Sequence, residues 1–470
     1  MVREHVPDYE AERLIAYRLE DFLGESHVAR FIREFVWTLN LEGLGFVAPT
    51  ARFGRKPFGR AAMLGAWLYG YMVGFRSTRS LERACGNDMG AIWLTGNLQP
   101  DHTTLWEFWK AHRVRIKSLM KESALTACRL GLVDLELVAV DGTKLRASAS
   151  DKRAWSVEEL TKWAKALDEQ IDAYAKEVTE AGDLGSARLP EELQDRECLR
   201  KAIHTAIEEM NVLGVSRLSP TDGDARTMKT PAGMKLSYNV QAAVDSKSGI
   251  VVGFEVSQNA SDGELLNHMI TQVEQTVGLS PSTTVADTGY FSSEQIGVAR
   301  QNKHAIVVGV RGKEPRKDEP LHSWLFEKKP GEDVLVCPVG GELTYFGSAR
   351  SHESLVHLSR YRCTQGWACP LAQQCTRSSK GRIVEATPHR DSMLRQWQQQ
   401  QTPECREILE KRRGAIVERL FGYIKRTLGL RYLEHRGLEA VVAVCGMAMS
   451  VANLRTIFKY WKPGALRAAL

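Results

Sequence analysis

The alternation of apolar and polar positions predicts a mixed sheet in the middle of the chain. Leu137 to Val140 form a short apolar run, which predicts a buried strand, and Asp141 and Gly142 predict that the chain leaves the sheet there. Further strands are predicted for the segments SYNVQAAVD, IVVGFEV, STTVAD and HAIVVGV. Asp262 is predicted to cap a helix before STTVAD. The pattern favours an α/β fold, more closely an α+β mixed sheet flanked by helices.

The first 130 residues predict helices only. Asp101 is a good N-cap, and the helix that it opens is expected to run to Gly131. Short helices, a polar turn and this longer basic helix are similar to a helix-turn-helix DNA reader. An all-helical packing domain with a solvated basic face is an equal alternative.

Charge is distributed unevenly along the chain, whose net charge is +6. Residues 151–200 hold 13 Asp and Glu against 8 Lys and Arg, and they are expected to form an acidic helical insert. The stretch from Lys411 to Arg431 holds seven basic residues and one acid, Glu418. A basic stretch without an amphipathic anchor favours a polyanion partner over a membrane.

Hydropathy and cysteine usage indicate an intracellular protein. No apolar run reaches about 18 residues and no N-terminal signal pattern is present, so we expect a cytoplasmic protein. Nine cysteines, an odd number in a long chain, do not suggest a disulfide framework. Four of them lie in an irregular basic segment and predict a structural Zn²⁺ site, with reduced cysteines in a small satellite core as the alternative. These four are Cys337, Cys363, Cys369 and Cys375.

Two aspartates each follow a predicted strand. Ligands collect outside the carboxyl ends of strands in open α/β sheets, so Asp141 and Asp287 are expected to share one site. Taken alone, Asp141 is also explained as an aspartate that caps its own turn.

The helix expected from about Glu407 to Thr427 offers a third carboxylate, Glu418. An apolar stripe predicts the face packed on the sheet, and Glu418 lies beside it. The stripe consists of Val417, Phe421, Ile424 and Leu428. In a straight helix, Lys411 and Lys425 would each point within about 20° of Glu418. A solvated salt-bridge face is the alternative.

Three motifs resemble those of the DDE transposases of bacterial insertion sequences: VDGTK at Asp141, VADTGYF at Asp287 and VERLFGYIKR at Glu418. The helical insert after DGTK and the cysteines before the glutamate helix are similar to the insertion sequence eleven-eighty-two group. The resemblance covers most of the chain, and three motifs occur in the required order. It implies a ribonuclease-H-like catalytic core, two bound Mg²⁺ (or Mn²⁺) ions, and cutting and joining of transposon ends.

The resemblance also implies roles for individual residues. Asp141, Asp287 and Glu418 would be the catalytic and metal-binding carboxylates, and Lys425 matches the lysine that follows the glutamate by seven residues. The residues expected to contact DNA phosphates are Lys144, Lys411, Arg413, Arg419, Lys425 and Arg426.

One position departs from the family pattern. An arginine often lies four residues before the glutamate, and this chain has Gly414 there. Helical geometry favours Lys411 as a substitute, whereas nearness in sequence favours Arg413, so both stay open.

The domain organisation that follows has five parts. They are a helical DNA-binding domain (1–130), the first part of the catalytic core (131–150 and 236–310), the acidic helical insert (151–235), the cysteine-rich insert (311–400), and the glutamate helix with a closing helix of the core (401–470). The partners expected are double-stranded DNA, as terminal inverted repeats and target, and further copies of the chain in a homodimer or higher oligomer. A metal nuclease without joining and an inactive DNA-binding regulator are the alternative functions.

Overall fold

The computed structural model describes residues 18–47, 57–151, 154–180, 191–215, 217–219, 221–310, 325–350, 357–376 and 378–468. These residues fall into two compact units. One contains those up to Leu132 and those from Ala443 on, and the other is Val133–Val442. The division falls between Val442 and Ala443, within the region 401–470 that the sequence analysis expects as one part. Parts of the expected N-terminal domain and cysteine-rich insert, 1–17, 48–56 and 311–324 among them, lie outside the described residues.

The first unit is helical, as the pattern predicts. Its helices are α1 (Val28–Thr38), α2 (Arg60–Val73), α3 (Thr78–Asn87), α4 (Met89–Thr95) and α5 (His102–Arg129). The predicted start of α5 is confirmed, since the Thr104 N–H donates to the Asp101 carboxylate at 2.7 Å. Gly131 follows the helix with a φ of +68°, which a residue without a side chain adopts freely. Whether α3 to α5 read DNA stays a prediction.

The core of this unit is aromatic. Trp67 of α2 lies 4.8 Å from Trp109 of α5 between ring centroids, and both side chains are buried. Phe31 of α1 contacts Trp461, which lies near the end of the chain, and their ring centroids are 5.6 Å apart. Such tilted and edge-on aromatic pairs stabilise the fold by more than the burial of their apolar area alone.

The second unit contains all the strands of the described residues. In chain order its elements are β1 (Val138–Arg146), β2 (Trp155–Ser156), α6 (Val157–Glu180), α7 (Glu191–Leu213), β3 (Arg217–Leu218), β4 (Arg226–Thr230), β5 (Gly233–Asp245), β6 (Val251–Ser257), α8 (Leu266–Val277), β7 (Thr284–Ala286), α9 (Ser293–Gln301), β8 (Ile306–Val308), β9 (Glu327–Lys328), β10 (Val334–Val336), β11 (Glu342–Arg350), β12 (His357–Cys363), α10 (Ala372–Cys375), β13 (Ile383–Ala386), α11 (Arg390–Gln400), α12 (Pro403–Glu407) and α13 (Arg413–Gly422).

Two further helices follow in the chain, α14 (Leu438–Phe458) and α15 (Ala465–Ala468). By length and composition α14 could cross a membrane, and 72% of its most apolar window is buried. The sequence predicts this helix as a core helix, and its burial agrees with that prediction.

The main sheet is mixed. Its strands follow the order β4-β5-β1-β7-β8, and β6 pairs with the same edge of β5 as β4. β1 runs antiparallel to β5 and parallel to β7, and β7 is parallel to β8. The predicted hairpin of SYNVQAAVD and IVVGFEV is confirmed as β5 and β6.

β1 is longer than the sequence predicts. It continues five residues past Asp141, paired with β5 as far as Arg146 and Ser237. The expectation that the chain leaves the sheet at Gly142 is therefore wrong, because pairing with the long neighbouring strand outweighs the local turn signal. Asp141 lies inside a strand rather than at its end.

The acidic insert is a helical pair on a short stem. β2 pairs with β3 where the insert leaves and rejoins the unit. Helices α6 and α7 pack through a small cluster of buried side chains, Leu160, Ala164, Ile203 and Met210. The prediction of two charged helices between β1 and β5 is confirmed.

Glu34 of α1 links the two ends of the first unit. Its side chain is buried, and its carboxylate accepts hydrogen bonds from Trp461 Nε1 (3.1 Å) and from three backbone N–H groups. Those are the N–H groups of Gly464 (3.1 Å), Leu466 (2.8 Å) and Arg467 (3.3 Å). One carboxylate therefore satisfies four donors at the start of α15.

Replacing this carboxylate should destabilise the first unit. We expect Glu34→Ala to lower its free energy of unfolding by about 2 to 4 kcal/mol, because four donors lose a charged acceptor. Urea unfolding monitored by tryptophan fluorescence measures the change. Glu25→Ala removes an exposed carboxylate and should change stability by less than about 0.5 kcal/mol. Equal stability of the two variants would contradict this account of Glu34.

Candidate active site

The parallel pairing of β1 with β7 brings Asp141 and Asp287 together. The register runs from Val138 opposite Thr284 to Val140 opposite Ala286, and the two aspartates follow this last pair. β7 ends there, whereas β1 continues along β5 and forms an isolated bridge from Arg146 to Tyr432 at its end. Both carboxylates therefore lie where the sheet loses a strand, which is the place at which an open sheet binds ligands.

The Asp141 carboxylate is held by two donors. Its Oδ1 accepts from the Gly142 N–H at 2.8 Å, and its Oδ2 accepts from Arg413 Nη1 at 3.1 Å. Burial raises the pKa of Asp141; the Gly142 N–H and the Arg413 charge lower it, and the neighbouring charges of Asp287 and Asp262 raise it again. Three carboxylates thus act on one another at this position.

The Asp287 carboxylate begins a short helical turn. Its Oδ1 accepts from the Gly289 N–H at 2.6 Å and caps the 3₁₀ turn Thr288–Tyr290. The local role of a capping aspartate therefore applies to Asp287. This hydrogen bond holds the Asp287 side chain in place near Asp141.

Asp262 is a third aspartate at this site, and the sequence interpretation missed it. It does not cap α8, which begins at Leu266 without a side-chain cap, so that prediction is wrong. Its Oδ1 accepts instead from three side chains of the sheet, Lys144 Nζ (3.0 Å), Asn239 Nδ2 (2.7 Å) and Gln241 Nε2 (2.8 Å). One signal could have indicated it: Asn239 and Gln241 lie in a strand that is otherwise apolar, and buried polar side chains need partners.

A tyrosine connects this network to Asp287. Tyr290 is fully buried, three residues after Asp287, and its hydroxyl donates to Gln241 Oε1. Burial raises its pKa well above the ordinary value, and the charges of the three aspartates raise it further, so the phenol keeps its proton. The hydrogen bonds therefore join β1, β5 and the turn that carries Asp287.

Gly142 allows the side chain of Gln241 to pack closely against the backbone of β1. A Cβ at this position would lie 2.2 Å from Gln241 Nε2 and 3.1 Å from Asn239 Oδ1. A residue with a side chain would therefore displace Gln241. The glycine of the DGTK motif is explained by this close approach and not by a turn.

The Glu418 helix is not a uniform α-helix. It passes from α12 through a π-helical segment, Ile408–Arg412, into α13 and then into a second π-helical segment, Tyr423–Thr427. The predicted apolar stripe of this helix is buried. The projection of Lys411 and Lys425 onto the side of Glu418 does not apply, since it assumes 3.6 residues per turn throughout.

The two residues considered for the missing arginine have different surroundings on this helix. Arg413 contacts Asp141, whereas Lys411 is exposed. Gly414 leaves room for the glutamate, because a Cβ at this position would lie 3.2 Å from Glu418 Oε1. The Glu418 side chain thus folds back over Gly414 and is exposed.

The basic residues expected to contact phosphates have different surroundings. Lys144 is paired with Asp262, and both side chains are mostly covered, 17% and 23% exposed. Lys425 is half-buried; burial and the Arg431 charge lower its pKa, and the Asp141 charge raises it. It is therefore within electrostatic reach of Asp141. Arg419 and Arg426 are exposed, as Lys411 is.

The fit of metal ions differs between the two predicted centres. Among the residues that the structure describes, no three His, Cys, Asp or Glu side chains form a group that could hold an ion. Glu418 is thus not gathered with the two aspartates. Asp141 and Asp287 suit a hard cation, because Mg²⁺ prefers oxygen ligands and their mutual repulsion would be relieved by a positive charge.

The four cysteines are not assembled into a zinc site. Cys337 and Cys363 pack against a small core of the second sheet, whose strand order is β13-β12-β11-β10-β9. The Gly341 N–H donates to Cys337 Sγ at 3.1 Å, and Arg382 Nη1 lies 3.9 Å from Cys375 Sγ. Cys337 and Cys363 therefore lie as the alternative of reduced cysteines in a satellite core expects, whereas Cys369 and Cys375 are not part of that core. A Zn²⁺ site at the four cysteines stays a prediction.

Comparison with protein families finds two matches. The model described as transposase DDE domain matches residues 336–458, which include Glu418 and the four cysteines but neither Asp141 nor Asp287. The model described as transposase domain (DUF772) matches residues 17–111. No curated protein and no solved structure matches the chain. Neither match distinguishes the eleven-eighty-two group, which stays a prediction.

Loss of the third aspartate should destabilise the sheet. We expect Asp262→Ala to lower the free energy of unfolding by about 2 to 4 kcal/mol, because a lysine and two amides lose their shared acceptor. Chemical unfolding followed by circular dichroism measures this change. Glu264→Ala, an exposed acid two residues on, should be near neutral. Identical unfolding of the two variants would refute the acceptor role of Asp262.

Proposed function

We propose that the chain, identified as an insertion-sequence DDE transposase by its two matching domains, binds transposon ends and catalyses divalent-metal-dependent cleavage and strand transfer on DNA. The observation that carries the proposal is the β1 and β7 register, which places Asp141 beside Asp287 in the main sheet. The sheet order also supports a ribonuclease-H-like core, since an antiparallel β6-β5-β1 meander is followed by parallel β7 and β8.

In this proposal Asp141, Asp287 and Glu418 are the carboxylates that hold the ions. Bound divalent ions would activate the attacking water or 3′-OH and stabilise the leaving oxygen. Two of the three residues are already adjacent. Glu418 is exposed on the helix that also carries Arg413, so that helix presents both an exposed carboxylate and the guanidinium that contacts Asp141.

Arg413 and Lys425 act on the charge of the site. Arg413 orients the Asp141 carboxylate and balances part of its charge. Lys425 lies close enough to Asp141 to feel its charge and is only partly covered, which suits contact with a DNA phosphate near the scissile bond. Lys411, Arg419 and Arg426 extend this basic surface along the helix, whereas Lys144 is engaged by Asp262.

Removal of any one of the three carboxylates should abolish strand cleavage. With Mg²⁺ or Mn²⁺, the protein is expected to nick its terminal repeats at the 3′ end and then join that end to target DNA. Asp141→Ala, Asp287→Ala and Glu418→Ala should each lower nicking by at least about 100-fold, since each removes a proposed metal ligand.

The control for this experiment is Glu410→Ala, which removes an exposed acid from the same helical run. It should cut like the wild type. Nicking that persists in all three variants would refute the proposed site. Nicking without a covalently joined product would favour the metal nuclease over the transposase.

Arg413 and its neighbour Arg412 provide a matched pair. Arg413→Ala should lower the nicking rate by about tenfold or more, because the Asp141 carboxylate loses its only described cationic contact within hydrogen-bond distance. Arg412→Ala removes the same charge from an exposed position and should change the rate by less than about threefold. Gel assays at saturating DNA measure both. Equal losses would assign the effect to overall charge.

A further inference from the structure

A pocket lies at the C-terminal end of β1, beyond the part of the strand that pairs with β7. Its volume is about 520 Å³, within the range of small-ligand sites. It is lined by residues at the end of β1 and just after it, by Lys235 of β5, and by Tyr432 and Arg436, which follow α13 in the chain. The proposed cleavage chemistry uses none of these residues.

The charge of the pocket is positive. Arg146, Lys235 and Arg436 line it together with one carboxylate, Asp151. Asp151 accepts from Lys235 Nζ at 2.9 Å and lies 3.8 Å from Arg146 Nη2. Three cations share one acid, so the pocket keeps an excess of positive charge that suits an anion such as a phosphate.

The pocket also presents an aromatic face. The Tyr432 side chain is 46% exposed, and the Arg146 guanidinium lies 5.6 Å from its ring centroid. Backbone hydrogen bonds fix the position of this tyrosine: the Leu433 N–H donates to Arg146 O at 2.8 Å, and the Arg146 N–H donates to Arg431 O at 3.2 Å. A half-exposed ring on such a support can stack on a base without first being ordered.

Strand geometry relates the pocket to the proposed active site. Arg146 lies on the same strand as Asp141 and five residues further along. At about 3.3 Å per residue, the two positions are roughly 17 Å apart, which corresponds to about five base steps of duplex DNA. One bound DNA strand could therefore reach both.

We propose that this pocket binds an unpaired nucleotide of the DNA substrate, with the base stacked on Tyr432 and its phosphates contacted by Arg146, Lys235 and Arg436. The proposal rests on the proposed function, since it takes DNA as the substrate. A paired duplex would use the cations but not the aromatic ring. The combination of both in one concave site is what favours an unpaired nucleotide.

The test compares two fluorescein-labelled probes with the full-length protein. One is a fully paired 30-mer duplex, and the other is the same duplex with a short run of unpaired thymines. Tyr432→Ala should weaken binding of the unpaired probe by about tenfold, as expected for one lost stacking contact, and binding of the paired probe by less than threefold. Tyr432→Phe keeps the ring and should bind like the wild type. Anisotropy titrations at fixed salt measure both.

Controls separate this inference from the proposed function. Tyr460→Ala removes a tyrosine that is 64% exposed and belongs to the first compact unit, and it should leave both titrations unchanged. Thermal unfolding checks that each variant is folded. If the wild type binds paired DNA and cuts it, but Tyr432→Ala binds the unpaired probe equally well, the pocket proposal fails alone. A wild type that binds neither probe would overturn the proposed function as well.

Discussion

The candidate active site depends on one constraint, the parallel register between β1 and β7. The register ends at Val140 and Ala286, so Asp141 and Asp287 follow adjacent backbone positions. Burial is the main reason why the pKa of Asp141 is raised, and repulsion by the nearby Asp287 carboxylate raises that pKa further. The fold offsets this with the Arg413 guanidinium. The site thus holds carboxylates that repel one another, and a bound cation would stabilise their charged forms.

A network of polar side chains inside the main sheet fixes the register between β1 and β5. Asp262 collects Lys144 of β1 with Asn239 and Gln241 of β5, and Tyr290 extends the chain of hydrogen bonds to the turn after Asp287. A one-residue shift of β1 would leave several of these buried groups without partners, at a cost of about 1 to 3 kcal/mol for each. Side-chain polarity inside the sheet therefore specifies which strand positions face each other.

Periodicity predicted the elements well but not the contacts between them. Apolar alternation located β5 and β6, and the Asp101 N-cap located the start of α5. The strand ends indicated that Asp141 and Asp287 would share a site. Local turn propensity gave the wrong prediction at Gly142. The conformation there is set by strand pairing with β5, and the absence of a side chain is required by the close approach of Gln241. The choice between Arg413 and Lys411 could not be made from 3.6-residue periodicity, because π-helical segments change the phase of the helix. The role of Asp262 in the site was missed because its partners are distant in sequence. Gln241 lies 21 residues away and Lys144 lies 118 residues away.

The stem of β2 and β3 has a consequence for how the chain tolerates change in length. The insert leaves after β1 and returns before β5, and these strands are paired with each other, so its two ends are already held together by the sheet. The entropy of closing a flexible loop grows only with the logarithm of its length, about 0.6 kcal/mol for each doubling. Polypeptide can therefore be gained or lost beyond the stem at little thermodynamic cost, while the strand that carries Asp141 stays in place. The insert behaves as a side branch on an otherwise continuous hairpin.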